Sequence, residues 1–175
     1  MRTPERPGLP PMTTNEDWEV RLVHLWKRID EMGDTEFVGA MRQLTAELAE
    51  RHPVAFFELG AAYDSTGSPH EAVTLYESAL DAGLSGTRRR RVRIQMASSL
   101  RHLGNPQQAA DMLIEELKQP SDELDQAVSA FLALALADLG REREALSISL
   151  AALSGYLPRY NRSLARYAAA LNRAA

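Results

Sequence analysis

Three glycines constrain this chain more than any other feature. Gly67, Gly104 and Gly140 each end one helix-like stretch and precede another, and they stand 37 and 36 residues apart. Ala72, Ala109 and Ala145 keep those spacings, always five residues past the glycine, and Thr66, Leu103 and Leu139 stand just before it. A period between about 20 and 50 residues marks stacked supersecondary units, none of which buries its apolar face alone. Strand-like alternation is absent. Helical periodicity runs from about Asp17 onward and breaks near Gly33, Pro53, Gly67-Ser68, residues 83–86, Gly104-Asn105, Gln119-Pro120, Gly140 and residues 155–158. These breaks predict about nine helices of roughly 12 to 18 residues, joined by short turns. Aromatic residues make up only 6% of the chain, and alanine and leucine dominate its apolar set, which suits close-packed helices.

Helix starts are signed as well. Ser68-Pro69-His70-Glu71 offers a serine cap, a proline at the first helical position and a glutamate able to close a capping box. Asn105-Pro106-Gln107-Gln108 repeats the device, and Ser121 followed by Asp122 and Glu123 predicts a third start.

On these residues the chain resembles the tetratricopeptide-repeat family. Phe56, Leu59, Gly60 and Tyr63 match the first half of its pattern, and Ala72, Tyr76 and Ala79 the second, with Leu84 replacing the closing proline. The second unit is looser, with Arg93, Met96, Ala97 and Leu100, then Ala109 and Leu113, and Glu116 where a small residue is usual. The third has Ser129, Leu132, Ala133 and Leu136, then Ala145, Ser149 and Ala152, with Pro158 near the expected stop. Small residues at Gly60, Ala97 and Ala133 let antiparallel helices approach closely, while large ones fill the gap between hairpins.

The expected architecture is all-α: a right-handed solenoid of hairpins over residues 16–175, behind a proline-rich flexible segment at residues 1–15. It divides into a degenerate hairpin at 17–52, repeats at about 53–86, 87–120 and 121–157, and a capping helix at 158–173. Tyr160, Leu164, Tyr167 and Leu171 would form the packed face of that cap. Trp18 and Trp26, eight residues apart on one face, would pack the first hairpin onto the solenoid or form a dimer contact.

The resemblance implies a concave groove, lined by the first helix of each unit, that holds a peptide. By position it assigns Phe57, Ala61 and Asp64 from the first clear unit, and Arg91, Ile94, Gln95, Ser98, Arg101 and His102 from the second. The third contributes Ala130, Phe131, Leu134 and Asp138. The family's clamp for a C-terminal carboxylate uses lysines and asparagines, and none stands at these positions. Arginine there takes carboxylates through paired hydrogen bonds, so an acidic segment of another protein is the expected guest.

The run Arg88-Arg89-Arg90-Arg91, with Arg93 beyond it, opposes the dipole of its own helix start. Asp122, Glu123 and Asp125 stand at the same level of the next unit, so inter-repeat ion pairing is expected ahead of phosphate binding. Arg159, Arg162, Arg166 and Arg173 read as a solvated face. With a net charge of -4, neither nucleic acid nor a membrane is the expected partner; a homodimer is the alternative to a foreign protein. No residue set points to catalysis, a metal or a cofactor. His24, His52, His70 and His102 lack ligand spacing, cysteine is absent, and Glu115-Glu116 read as exposed surface. Residues 1–14 hold four prolines and no apolar run, unlike a signal peptide, which makes a cytoplasmic location the default. Lys27 and Lys118 are the only lysines, an arginine bias that a GC-rich bacterial genome produces.

Overall fold

The computed structural model describes residues 14–172. The proline-rich lead therefore lies outside the described residues but for its last two, and Arg173 lies outside them too. Within them the chain forms nine α-helices, one 3-10 turn (Ile29–Glu31) and no strand. They are α1 (Glu16–Lys27), α2 (Asp34–Thr45), α3 (Pro53–Ser65), α4 (Pro69–Asp81), α5 (Gly86–His102), α6 (Pro106–Glu116), α7 (Asp125–Asp138), α8 (Glu142–Ser154) and α9 (Asn161–Leu171). The first eight pair as consecutive hairpins, α1 with α2 through α7 with α8. The first helices also lie in a row, α3 beside α5 and α5 beside α7.

The repeat glycines earn their places through backbone shape. Gly67, Gly104 and Gly140 adopt φ of 80°, 80° and 73°, the left-handed region that a side chain disfavours. The residue after each donates its N–H five residues back, Ser68 to Tyr63, Asn105 to Leu100 and Arg141 to Leu136, all at 2.9 Å. That is the Schellman turn, which satisfies the last carbonyls of one helix while starting the next. It also corrects the expected capping boxes. Ser68 and Asn105 sit at φ -111° and -113° with ψ of 68° and 53°, outside the extended geometry of a capping residue, and neither side chain caps its helix. The third start is displaced too. Asp122 accepts from the Leu124 N–H at 2.7 Å, forming a side-chain turn that delays α7 until Asp125.

One continuous core runs through the stack, from Trp18, Phe37 and Met41 to Leu132, Leu136 and Ala145. Gly60 shows how tightly a hairpin closes. A Cβ built there would lie 3.0 Å from two ring carbons of the fully buried Tyr76 and 3.2 Å from the Leu75 Cβ. Gly60→Ala gains about 1 kcal/mol in helix propensity but overpacks the hairpin by roughly 1–3 kcal/mol. A net loss of about 1 kcal/mol is expected, read as a lower urea midpoint at unchanged slope.

Both tryptophans are structural. The buried Trp18 indole N–H donates to the Leu44 carbonyl at 2.9 Å, and the Trp26 ring lies 5.2 Å from that of Phe37. Both contacts lie within the first hairpin, and Trp26 also reaches Glu58 of the next, so the pair packs the hairpin onto the stack.

The last helix departs from expectation. Leu164, Ala168 and Leu171 turn inward, while Tyr160 and Tyr167 are exposed. Tyr160 precedes the helix at φ 64° and so does not share its face. Moreover, α9 packs on α8 and does not extend the row of first helices alongside α7.

Candidate binding groove

The arginine run begins α5 and reaches to both sides. Arg88 donates to Glu19 of α1 at 2.6 Å and to Glu58 of α3 at 3.2 Å. Arg89 donates to both oxygens of Glu116 on α6, at 2.6 and 2.8 Å. Arg90 is buried and reaches forward to Asp125 at 2.5 Å, Asp122 at 2.9 Å and the Pro120 carbonyl at 2.9 Å. The expected inter-repeat pairing is therefore present through Asp122 and Asp125, and Glu123 takes no part in it. Three of the four aligned cations at this helix start persist because carboxylates on both sides meet them.

Glu116 corrects a sequence reading. It is 1% exposed rather than surface, and Arg89, Arg90 and Arg93 converge on it at 2.6, 3.8 and 3.7 Å. Its neighbour Glu115 is the exposed member of the pair and bonds Lys118. The signal was the charged residue in a slot where the repeat takes a small one.

Arg91 differs from its neighbours. Among the described residues it has no carboxylate partner, and its guanidinium lies 5.0 Å from the centre of the Phe57 ring, outside a fully buried phenyl. Stacked this way, its edge N–H groups remain open. A cleft of about 350 Å³ opens beside it, lined by Glu19, Leu22, Val23, Trp26 and Lys27 of α1 together with Glu58 and Arg88. Glu58 is buried, accepts from the Trp26 indole at 2.9 Å, and has its pKa raised chiefly by that burial, against the pull of Trp26, Arg88 and the nearby positive charge of Arg91. Sequence reasoning missed Glu58 and the α1 wall. A lone charge inside the apolar run of residues 53–62 was the available clue.

The remaining predicted residues divide by contact. Arg91, Gln95, Ser98 and His102 follow one stripe of α5 and are exposed or half-buried. The Gln95 carboxamide oxygen is buried and finds no donor among the described residues. Ser98 and His102 line a second cleft of about 420 Å³ with Asp64, Ser65 and Pro69. The other residues mostly hold first helices together. Phe57 and Ala61 are fully buried and Ile94 nearly so. Asp64 accepts from Ser99 at 2.7 Å and Tyr76 at 3.3 Å. Arg101, expected to bind a guest carboxylate, already holds Asp138 at 2.6 Å. Ala130 is exposed, Phe131 packs half-buried on the core and Leu134 is 47% exposed, all on α7.

No cluster of metal-binding side chains and no helix long and apolar enough to cross a membrane occurs among the described residues. The geometry is that of a helical-hairpin solenoid whose polar groups brace repeats and line clefts. The family model described as Tetratrico peptide repeat matches residues 53–171, and the chain belongs to that family. Its repeats generally mediate protein–protein interaction and are typically non-catalytic. Comparison with curated proteins and with solved structures gave no match.

Proposed function

We propose that this chain is a non-catalytic cytoplasmic adaptor that holds an extended segment of another protein along the exposed stripe of α5, with an acidic guest side chain at Arg91. The observation that carries the reading is the unpaired guanidinium of Arg91 in a run whose other members are all matched to carboxylates. From Arg91 to His102 the stripe is eleven residues of helix, about 16 Å, which an extended peptide spans in roughly five residues. The apolar wall of Leu22 and Val23 beside Arg91 favours an acidic residue flanked by an apolar one. Phosphate recognition is disfavoured because the rest of the run is neutralised within the fold.

The test is affinity capture from a source-cell lysate with wild type and Arg91→Glu, the recovered proteins compared by mass spectrometry. Loss of specific partners with the fold intact is expected, since Arg91 makes no ion pair among the described residues. Equal recovery by a folded Arg91→Glu protein contradicts the groove reading. Arg101 is unsuitable for this test, because reversing it also breaks its bond to Asp138.

A further inference from the structure

Equivalent positions in the three clear hairpins do not share the same burial. On the first helices, Ala61 is fully buried, Ser98 half-buried and Leu134 47% exposed. On the second helices, Val73 is half-buried and Ala110 fully buried, yet Leu146 is 50% exposed. Tyr76 and Leu113 are fully buried, and their counterpart Ser149 is exposed. The inverse holds one face round. Thr74 and Asp111 are exposed, but Ser147 is buried and donates to the Ala168 carbonyl of α9 at 2.8 Å. Arg143 likewise bonds the Leu171 carbonyl at 2.5 Å.

These differences have one cause. In the first two clear units the following first helix covers this side of the hairpin. After the third, α9 instead lies on the side that earlier units give to solvent. Among the described residues nothing covers the end of the row, which presents Leu134 from α7 and Leu146, Ser149 and Leu153 from α8, the last 48% exposed.

We propose that this open end is a self-association face, on which a second copy of the chain sits about a two-fold axis. Continuity with the stacking interface is the first argument, because the same positions are packing surface in the preceding units. Spacing is the second. Leu146 and Leu153 lie symmetrically about the Ser149–Leu150 step, so antiparallel pairing of α8 with its copy sets Leu146 opposite Leu153 of the partner subunit. The small Ser149 stands at the axis and permits close approach. Charge is the third argument. None of these four residues is charged, and Arg141 and Glu144 at the start of α8 are paired with each other, so two copies meet without burying like charges.

Sedimentation velocity of the full chain, from the low to the high micromolar range, tests the proposal. A reversible dimer is expected. Leu134→Glu and Leu146→Glu should each weaken it about a hundredfold, since both copies then press a carboxylate into an apolar contact. Val20→Glu on α1, an equally exposed apolar site off this face, should leave it unchanged, as should Arg91→Glu. Because the chain has no cysteine, Ser149→Cys supplies a second readout: mild oxidation should join two copies, whereas Val20→Cys should not. A monomer at every concentration overturns the proposal, leaving the face to a helix of a different protein. A dimer that survives both leucine variants, or one abolished by Val20→Glu, overturns it equally.

Discussion

Glu116→Ala should lower the stability of this protein by roughly 3–5 kcal/mol, the range for removing one partner of a buried charge cluster. For a chain of this size that is a fall in Tm of roughly 10 °C. Arg90 is buried, and Arg93 is partly so, with its pKa pulled down by burial and by the neighbouring Arg89. Arg89 and Arg93 depend on Glu116 as counter-charge, whereas Arg90 keeps Asp122 and Asp125, and the alanine variant leaves the first two cations crowded at a helix start that repels them. Glu115→Ala, one residue away and exposed, should shift stability by less than about 0.5 kcal/mol. Parallel thermal and urea melts of the two variants decide the matter, and equal effects would refute the buried role of Glu116.

Trp18→Ala should be comparably severe but confined to one end. Loss of a fully buried tryptophan costs roughly 3–5 kcal/mol, and here it also strips the Leu44 carbonyl of its donor. In a stack of units each contacting its neighbours, such damage stays local. Trp26 is then the sole tryptophan, and its bond to Glu58 makes it a reporter of α1 docking. Its fluorescence should shift at clearly lower urea than the far-UV circular dichroism. Coincident transitions would show that the first hairpin unfolds with the whole.

The fold was legible because backbone rules repeat. A glycine that must adopt positive φ, a proline that opens the next helix and a small residue five positions on leave marks that survive poor overall repeat similarity. The groove was less legible for a physical reason. A residue on a first helix faces either the guest or the adjacent first helix, and local sequence does not separate these. Phe57 and Ile94 share the register of Ala130, yet two are buried by a following helix and the third is exposed where none follows. Arg91 and Arg101 look alike in sequence, and only the position of Asp138 tells them apart. The displacement of α9 left no local mark, since its Leu164, Ala168 and Leu171 stripe suits either side of α8.

The two ends of the row should differ in how readily they come apart. Arg88 joins residues 69 positions apart, binding Glu19 in α1 while also holding Glu58 in the hairpin between. Ordinary solenoids fray like a zipper, one unit at a time from either terminus. This side chain works as a rivet through three layers, so the N-terminal layer cannot peel away without loosening a helix two units inside. At the other end α9 grips a single neighbour. Loss of the N-terminal layer should therefore be felt at α5, whereas α9 can leave without disturbing any helix but α8.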